Sequence, residues 1–319
     1  MTKKITDNLK QVIWDMRNIN QMTHKSIAEY LRIPRQTVTD FLNGTTHKEW
    51  HELNSSGVIG KPKILILDIE TSPVLGNVWR LFKQNVGLNQ IEKDWYVLSW
   101  SAKWYGVDDV MYMDKRDSWD NEDDTELMVE IHKLIDEADW VVTQNGVNFD
   151  MKKLNARFLF HGMKPPSRYT NIDTLLIAKR YFGFTSNKLE YMTDKFCKKY
   201  KKLKHNNFAG FELWKECLKG NPEAWGEMEL YNRFDVLSLE ELYDIMKPWY
   251  KQHPNLNHFT NSTEDCCGTC GSTNISATGF TNTGVGKWVL FTCECGAETR
   301  GRINLYSKEK RQSLRVNVT

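Results

Sequence analysis

The chain has 319 residues, 40% of them hydrophobic and 26% charged, with a formal net charge of +2. At about 100–200 residues per domain this permits two or three folded units, and the composition excludes a disordered or fibrous chain. The apolar run Ile64-Leu65-Ile66-Leu67 ends at Asp68, and MTKKITDNLK has positive charge with no apolar stretch behind it. A bilayer span needs roughly 18–20 apolar residues, so a cytoplasmic protein with no membrane partner is expected.

The first predicted helix carries Leu9, Ile13, Met16 and Ile19 on one face. Thr23 then caps a second helix over THKSIAEYLRI, with Ile27, Ala28 and Leu31 inward. Pro34 suits the first turn of a third, PRQTVTDFLNG, which buries Val38, Phe41 and Leu42 and stops at Asn43-Gly44. The phrase IAEYLRIPRQTVTDFLNG resembles the helix-turn-helix DNA-binding domains of bacterial and phage repressors. That resemblance implies a small all-α domain over residues 1–48, with Arg35, Gln36, Thr37 and Thr39 toward the major groove. Asp40, an acid on the same face, keeps a scaffold or protein-contact module open. Residues 49–62 hold Asn54-Ser55-Ser56-Gly57 without sustained period and read as a linker.

From residue 63 the pattern alternates. KILILDIET, WYVLSWSAKWYG and DVMYM predict strands, ELMVEIHKLIDEA a helix, WVVTQ a short buried strand and FDMKKLNARFLFHG another helix. This is the α/β signature, a mixed sheet with helices on its faces. Between Asp108 and Asp139, 13 acidic residues stand against three basic ones, a local net of −10 that nucleic acid should avoid. Asp68 and Glu70, two apart on the first strand, leave the same face of the sheet. Asn145 follows the short strand and Asp150 opens the next helix, a junction where sites gather in α/β folds. Tyr231 and Asp235 share one face of the helical run EAWGEMELYNRFDVLSLEELYDIM. Asp173 reads as the cap of the helix after it, outside any metal set.

Taken together, D-I-E-T, N-x3-F-D and Y-x3-D resemble the three exonuclease motifs of the DEDD superfamily of 3′→5′ exonucleases, and the tyrosine points to its DEDDy branch. The resemblance covers residues 63–255 and implies an RNase H-like mixed sheet flanked by helices. It further implies two Mg²⁺ or Mn²⁺ ions on Asp68, Glu70, Asp150 and Asp235, with Asp68 bridging and Tyr231 orienting the attacking water. The implied activity is hydrolysis of DNA phosphodiesters to nucleoside 5′-monophosphates. RNA as substrate, and a DNA-binding regulator that retains a nuclease fold, stay open. Asn145 and Asn148 would contact the terminal nucleotide, and Gln144 stands where related sequences often have histidine. Six lysines and no acid lie between Lys195 and His205; of these Lys198, Lys199, Lys201, Lys202 and Lys204 would contact phosphates. Most of the nearby rings, Tyr181, Phe182, Phe184, Phe208 and Phe211, read as core rather than as stacking platforms.

Five of the seven cysteines fall between 266 and 295. In a reducing compartment this points to metal rather than to disulfides. Cys267-x2-Cys270 and Cys293-x-Cys295, each followed by glycine, suit one tetrahedral structural Zn²⁺. With a hairpin predicted in NISATGFTNTGVGKWVLFT, residues 256–319 resemble a β zinc ribbon with a basic tail. The second knuckle is one residue short of the usual spacing, so Cys266 stays open as a ligand, while Cys197 and Cys217 read as core. Arg300 and Arg302 suit nucleic-acid contact. A protein partner through the helix-turn-helix or the ribbon, and the oligomeric state, are left open.

Overall fold

The computed structural model describes residues 7–18, 21–44, 61–83, 85–119, 121–203, 207–259 and 264–316. Ile19, linker residues 49–60 and Lys204 lie outside these. The chain divides into two compact units, Met1–Lys61 with His258–Thr263, and Pro62–Asn257 with Glu264–Thr319.

The first unit is three helices, α1 (Asp7–Asn18), α2 (His24–Leu31) and α3 (Arg35–Asn43). Thr23 Oγ1 accepts from Ser26 N at 3.2 Å and satisfies one orphan donor of α2. Ile13, Ile27, Val38 and Phe41 fill the small core. Arg35 and Gln36 are exposed at the start of α3, and Gln36 Nε2 donates to Asp40 Oδ1 at 2.6 Å, so the acid engages the glutamine. Thr37 and Thr39 are half-buried, and Thr39 hydrogen-bonds with His24 Nδ1 at 3.3 Å.

The second unit opens with β1 (Ile64–Thr71), a short hairpin β2 (Leu75–Gly76) and β3 (Ile91–Lys93), then β4 (Val97–Trp104) and β5 (Met111–Asp114). There follow α4 (Thr125–Glu137), β6 (Trp140–Thr143), α5 (Asp150–Phe160), β7 (Thr170–Asp173), α6 (Thr174–Tyr181), α7 (Leu189–Phe196), α8 (Glu212–Cys217) and the long α9 (Pro222–Met246). The main sheet has the order β5-β4-β1-β6-β7. β4 is antiparallel to β1 and β5, whereas β6 is parallel to β1 and β7, which gives the expected mixed sheet. Leu65, Leu67 and Ile69 alternate onto one face and pack with Met128, Ile131 and Ile135 of α4 and Leu154 and Phe158 of α5. Tyr96 and Leu98 pack instead with Leu213, Trp225 and Met228 of α8 and α9. Each such buried side chain stabilises by about 1.5–3 kcal/mol. β1 pairs with β6 only through Ile64–Ile66, so Asp68 and Glu70 lie beyond that edge and are paired only with β4, opposite Ser101 and Ser99. The hairpin β2–β3 is not evident in the sequence, and between its strands Trp79, Leu81 and Phe82 are exposed.

The acidic segment is not uniformly solvated. Asp124, fully buried, accepts from Val97 N at 2.9 Å, Arg157 Nη2 at 2.7 Å and His161 Nε2 at 2.5 Å, and so ties α5 to the start of β4. Asp124→Ala should therefore cost about 3–5 kcal/mol of stability, because Arg157 is left as an unpaired buried charge. Urea titration against wild type measures this, and a loss under about 1 kcal/mol would contradict it.

The ribbon is the antiparallel sheet β8 (Ile275–Thr283), β9 (Gly286–Cys293) and β10 (Glu298–Arg300), followed by α10 (Lys308–Ser313). Leu256 N donates to Gly268 O at 2.8 Å and ties it to the segment after α9.

Candidate active site

Period 2 on β1 sends Asp68 and Glu70 toward α9, whose Asn221 cap and Pro222 start it and whose buried face carries Tyr231, Asn232 and Asp235. Ligand oxygens of Asp68, Glu70 and Asp235 lie within 4.8 Å of one another. Burial is the largest influence on all three carboxyls and raises each above its ordinary value; for Asp68 and Glu70 the charge of Asp235 adds to it, and Glu70 reaches about 8. Asp235 Oδ1 is buried without a hydrogen-bond partner. Three hard oxygen donors with one lone pair set unspent fit Mg²⁺ or Mn²⁺.

Each carboxylate is held from behind. Asn232 Nδ2 donates to Asp68 Oδ2 at 2.6 Å and its Oδ1 accepts from Ser99 at 3.1 Å, which fixes the rotamer of both groups. Glu70 accepts from the Trp214 side chain. Tyr231 is buried, and burial followed by the charge of Asp235 pushes its phenol above its ordinary value, so it remains a protonated donor at neutral pH.

Asp150 stands outside the 4.8 Å trio. It opens α5, is buried, and accepts from Ile69 N at 3.2 Å, which clasps β1 between Asp68 and Glu70. Burial raises its carboxyl to about 7. Asn145, at φ 68, turns the chain in the left-handed region that asparagine tolerates. Asp173 accepts from Asn145 N at 2.9 Å and Val147 N at 3.1 Å while capping α6 through Leu175 N at 2.9 Å. It therefore shapes the turn that carries Asn145; Asn148 on that turn is exposed. Gln144 donates to Asn187 O at 3.0 Å, and an open pocket of about 500 Å³ is lined by Asp68, Gln144, Asn145, Asn187, Lys202 and Asp235 among others.

The lysine run separates on folding. Backbone N–H groups of Lys198, Lys199 and Tyr200 donate to the carboxylate of Glu241, which leaves the Lys198 and Lys199 side chains outward. Lys201 pairs with Asp194 at 3.1 Å. Lys202, expected among the phosphate contacts, turns toward the carboxylates: its Nζ is 2.5 Å from Asp235 Oδ2 and 4.4 Å from the Tyr231 ring centre. The reason is electrostatic, since three crowded carboxylates attract the nearest cation that can reach them. Asn232, Ser99 and Trp214 are the members of this centre that sequence reasoning missed. The one local signal was Asn232, a polar residue on the buried face of α9 beside Tyr231.

The cysteines form a second centre. Sulfurs of Cys267, Cys270, Cys293 and Cys295 lie within 4.8 Å of one another, with Cys267–Cys295 at 3.9 Å and Cys270–Cys293 at 3.5 Å. These separations exceed an S–S bond and approach the ~3.8 Å edge of a tetrahedron built on Zn–S bonds of about 2.3 Å. Gly271 and Gly296 have φ of 77 and 87, which the tight knuckle turns require and L side chains resist. Cys266 points away, with its thiol donating to Asn257 Oδ1 at 2.9 Å. Cys197 and Cys217 are buried. Arg300 stacks on Trp288 at 4.5 Å and Arg302 is exposed.

No curated protein matches the chain by sequence. Among solved structures, the family B DNA polymerase from the hyperthermophilic archaeon Pyrobaculum calidifontis is similar at 14% identity and a TM-score of 0.43. That similarity covers 60% of this chain and 26% of the polymerase, so the chain spans about a quarter of that protein's length. Residues 112–247, which include Asp150, Tyr231 and Asp235, match the RNase_H_2 family of the RNase_H superfamily, and the five-stranded mixed sheet with its flanking helices is an RNase H-like fold.

Proposed function

We propose that this chain is a metal-dependent 3′→5′ exonuclease that hydrolyses DNA phosphodiesters and releases nucleoside 5′-monophosphates. The observation that carries the reading is the trio Asp68, Glu70 and Asp235, with the partnerless buried Oδ1 of Asp235, beside an open pocket whose wall includes Asp68 and Asp235. Two divalent ions bound there supply Lewis-acid stabilisation and an activated water. Asp68, Glu70 and Asp235 hold them, Asn232 and Trp214 fix the carboxylates, and Asp150 locks the strand between them. The protonated Tyr231 donates to the attacking water and orients it in line with the scissile bond. Water oxygen bonds to phosphorus and loses a proton to solvent, the P–O3′ bond breaks, and the departing O3′ takes a proton from solvent to become the new 3′-hydroxyl. Lys202 supplies the positive charge nearest the phosphate, and Asn145 faces the terminal nucleotide. The four cysteines hold one structural Zn²⁺. DNA as substrate rests on the helix-turn-helix unit, whose exposed Arg35 and Gln36 lie at the start of α3.

End-labelled single- and double-stranded DNA and RNA, incubated with Mg²⁺ or Mn²⁺, test this. A 3′ label should appear at once as mononucleotide, while a 5′ label passes through a descending ladder. If no substrate yields nucleotides yet duplex DNA is shifted in a gel, the enzyme reading fails and the regulator stands.

A further inference from the structure

Four rings near the candidate centre are left at the surface. Trp249 is 61% exposed and Phe196 is 37% exposed. Between them lie Phe182 and Phe184, half-buried and stacked at 4.8 Å with their planes 9° apart. Phe182 meets Trp249 edge-on at 5.6 Å and Phe184 meets Phe196 at 5.0 Å, so the four form one continuous strip rather than separate core contacts. Core packing accounts for the inner two rings and leaves the open faces of the outer two unexplained.

The strip has a definite beginning and end. Trp249 also lines a groove of about 1110 Å³ between the end of α9 and the ribbon, whose other wall includes Leu290, Thr292, Thr299 and Arg300. At the other end, the loop after Phe184 carries Asn187 and Lys188 into the pocket that holds Asp68 and Asp235. Exposed Lys188 in the pocket and Lys251 and Arg300 in the groove lie along this route, against Glu190 in the pocket and Asp244 and Glu298 in the groove. Aromatic faces in sequence beside cations are what an unpaired strand requires, because every base has a π-face and every linkage a negative charge.

We propose that this strip is a track along which an unpaired nucleic-acid strand runs from the ribbon groove to the carboxylate centre. The proposal rests on the exonuclease reading of that centre and adds where the rest of the strand lies. Stacking on open rings is worth enough that removing two of them should weaken binding at least about 10-fold.

The test uses the full zinc-loaded chain with Trp249→Ala and Phe196→Ala combined, and a 5′-fluorescein 20-mer oligothymidylate in buffer with neither chelator nor added divalent ion, read by anisotropy. Expected is a Kd raised at least about 10-fold, with kcat/KM on a thymidine tetranucleotide in Mg²⁺ lowered less than about threefold, because the pocket itself takes up most of so short a substrate. Arg300→Ala should reduce the salt dependence of 20-mer binding. An unchanged 20-mer Kd overturns the track, and so does equal weakening for a 20-base-pair blunt duplex, which would make the surface a duplex site. If the wild type does not hydrolyse the tetranucleotide, the exonuclease reading fails, whereas the anisotropy result still decides whether the strip binds strand.

Discussion

An Asp68→Asn chain should release nucleotides at least about 10³-fold more slowly than wild type in Mg²⁺, while its metal-free form melts at the same or a higher temperature. The two halves have one cause. Asp68 is raised by burial, then by the charges of Asp235, Asp150 and Glu70, so its ionised form is costly in the fold unless a cation offsets it. An amide removes the charge but keeps an oxygen for Asn232, which stands 2.6 Å away. Activity within tenfold of wild type, or a melting temperature clearly below wild type when neither chelator nor added divalent ion is present, would count against Asp68 as the central ligand.

The same charges set a pH dependence. Glu70 rises to about 8 and Asp150 to about 7, from ordinary values of 4.5 and 3.8. The folded chain therefore keeps these protons at pH values where the unfolded chain has lost them. Their contribution to stability is full below about pH 4 and is lost as pH rises toward 8. Thermal melts without chelator or added divalent ion should fall between pH 5 and pH 8, and Mg²⁺ should flatten that slope. Lys202, 2.5 Å from Asp235, softens the fall without removing it.

The part of this centre that could be read from the sequence was the part set by local geometry. Alternation along a strand puts Asp68 and Glu70 on one face, and four-residue spacing on a helix puts Tyr231 beside Asp235, whatever surrounds them. The sheet followed from the same reasoning, because ILILDIET and WVVT have patterns that fit only buried strands. Lys202 could not be placed this way. Six lysines in eleven residues look like a solvated face, and what turns one inward is a cluster assembled from β1 and from α9 some 165 positions later. Ser99 and Asn232 meet across 133 positions, and Asp150 finds the backbone of Ile69 across 81. The β2–β3 hairpin escaped for another reason: strands of two and three residues carry no period.

Cys267→Ser should reduce bound zinc from about one per chain to near none and unfold the ribbon, while the RNase H-like sheet persists. The buried cluster of the ribbon is Cys267, Cys293 and Ala297, with Cys270, Ile275 and Cys295 against it. Four of those six residues are the ligands themselves. Without metal, the ribbon core is left with little more than Ile275, whose burial is worth about 1.5–3 kcal/mol. Zinc binding in small modules is worth about 10–16 kcal/mol, so the ion rather than apolar packing determines whether β8, β9 and β10 form. Metal analysis and hydrogen exchange check both halves: amides of 275–300 should lose protection and those of 64–71 should keep it. Retained zinc would mean that Cys266 has left Asn257 and moved into the vacated position, and a Cys266→Ser, Cys267→Ser double variant would then release it. Because the ribbon forms one wall of the groove beside Trp249, the zinc-free variant should also bind the 20-mer like the ring-deleted chain while hydrolysing the tetranucleotide normally.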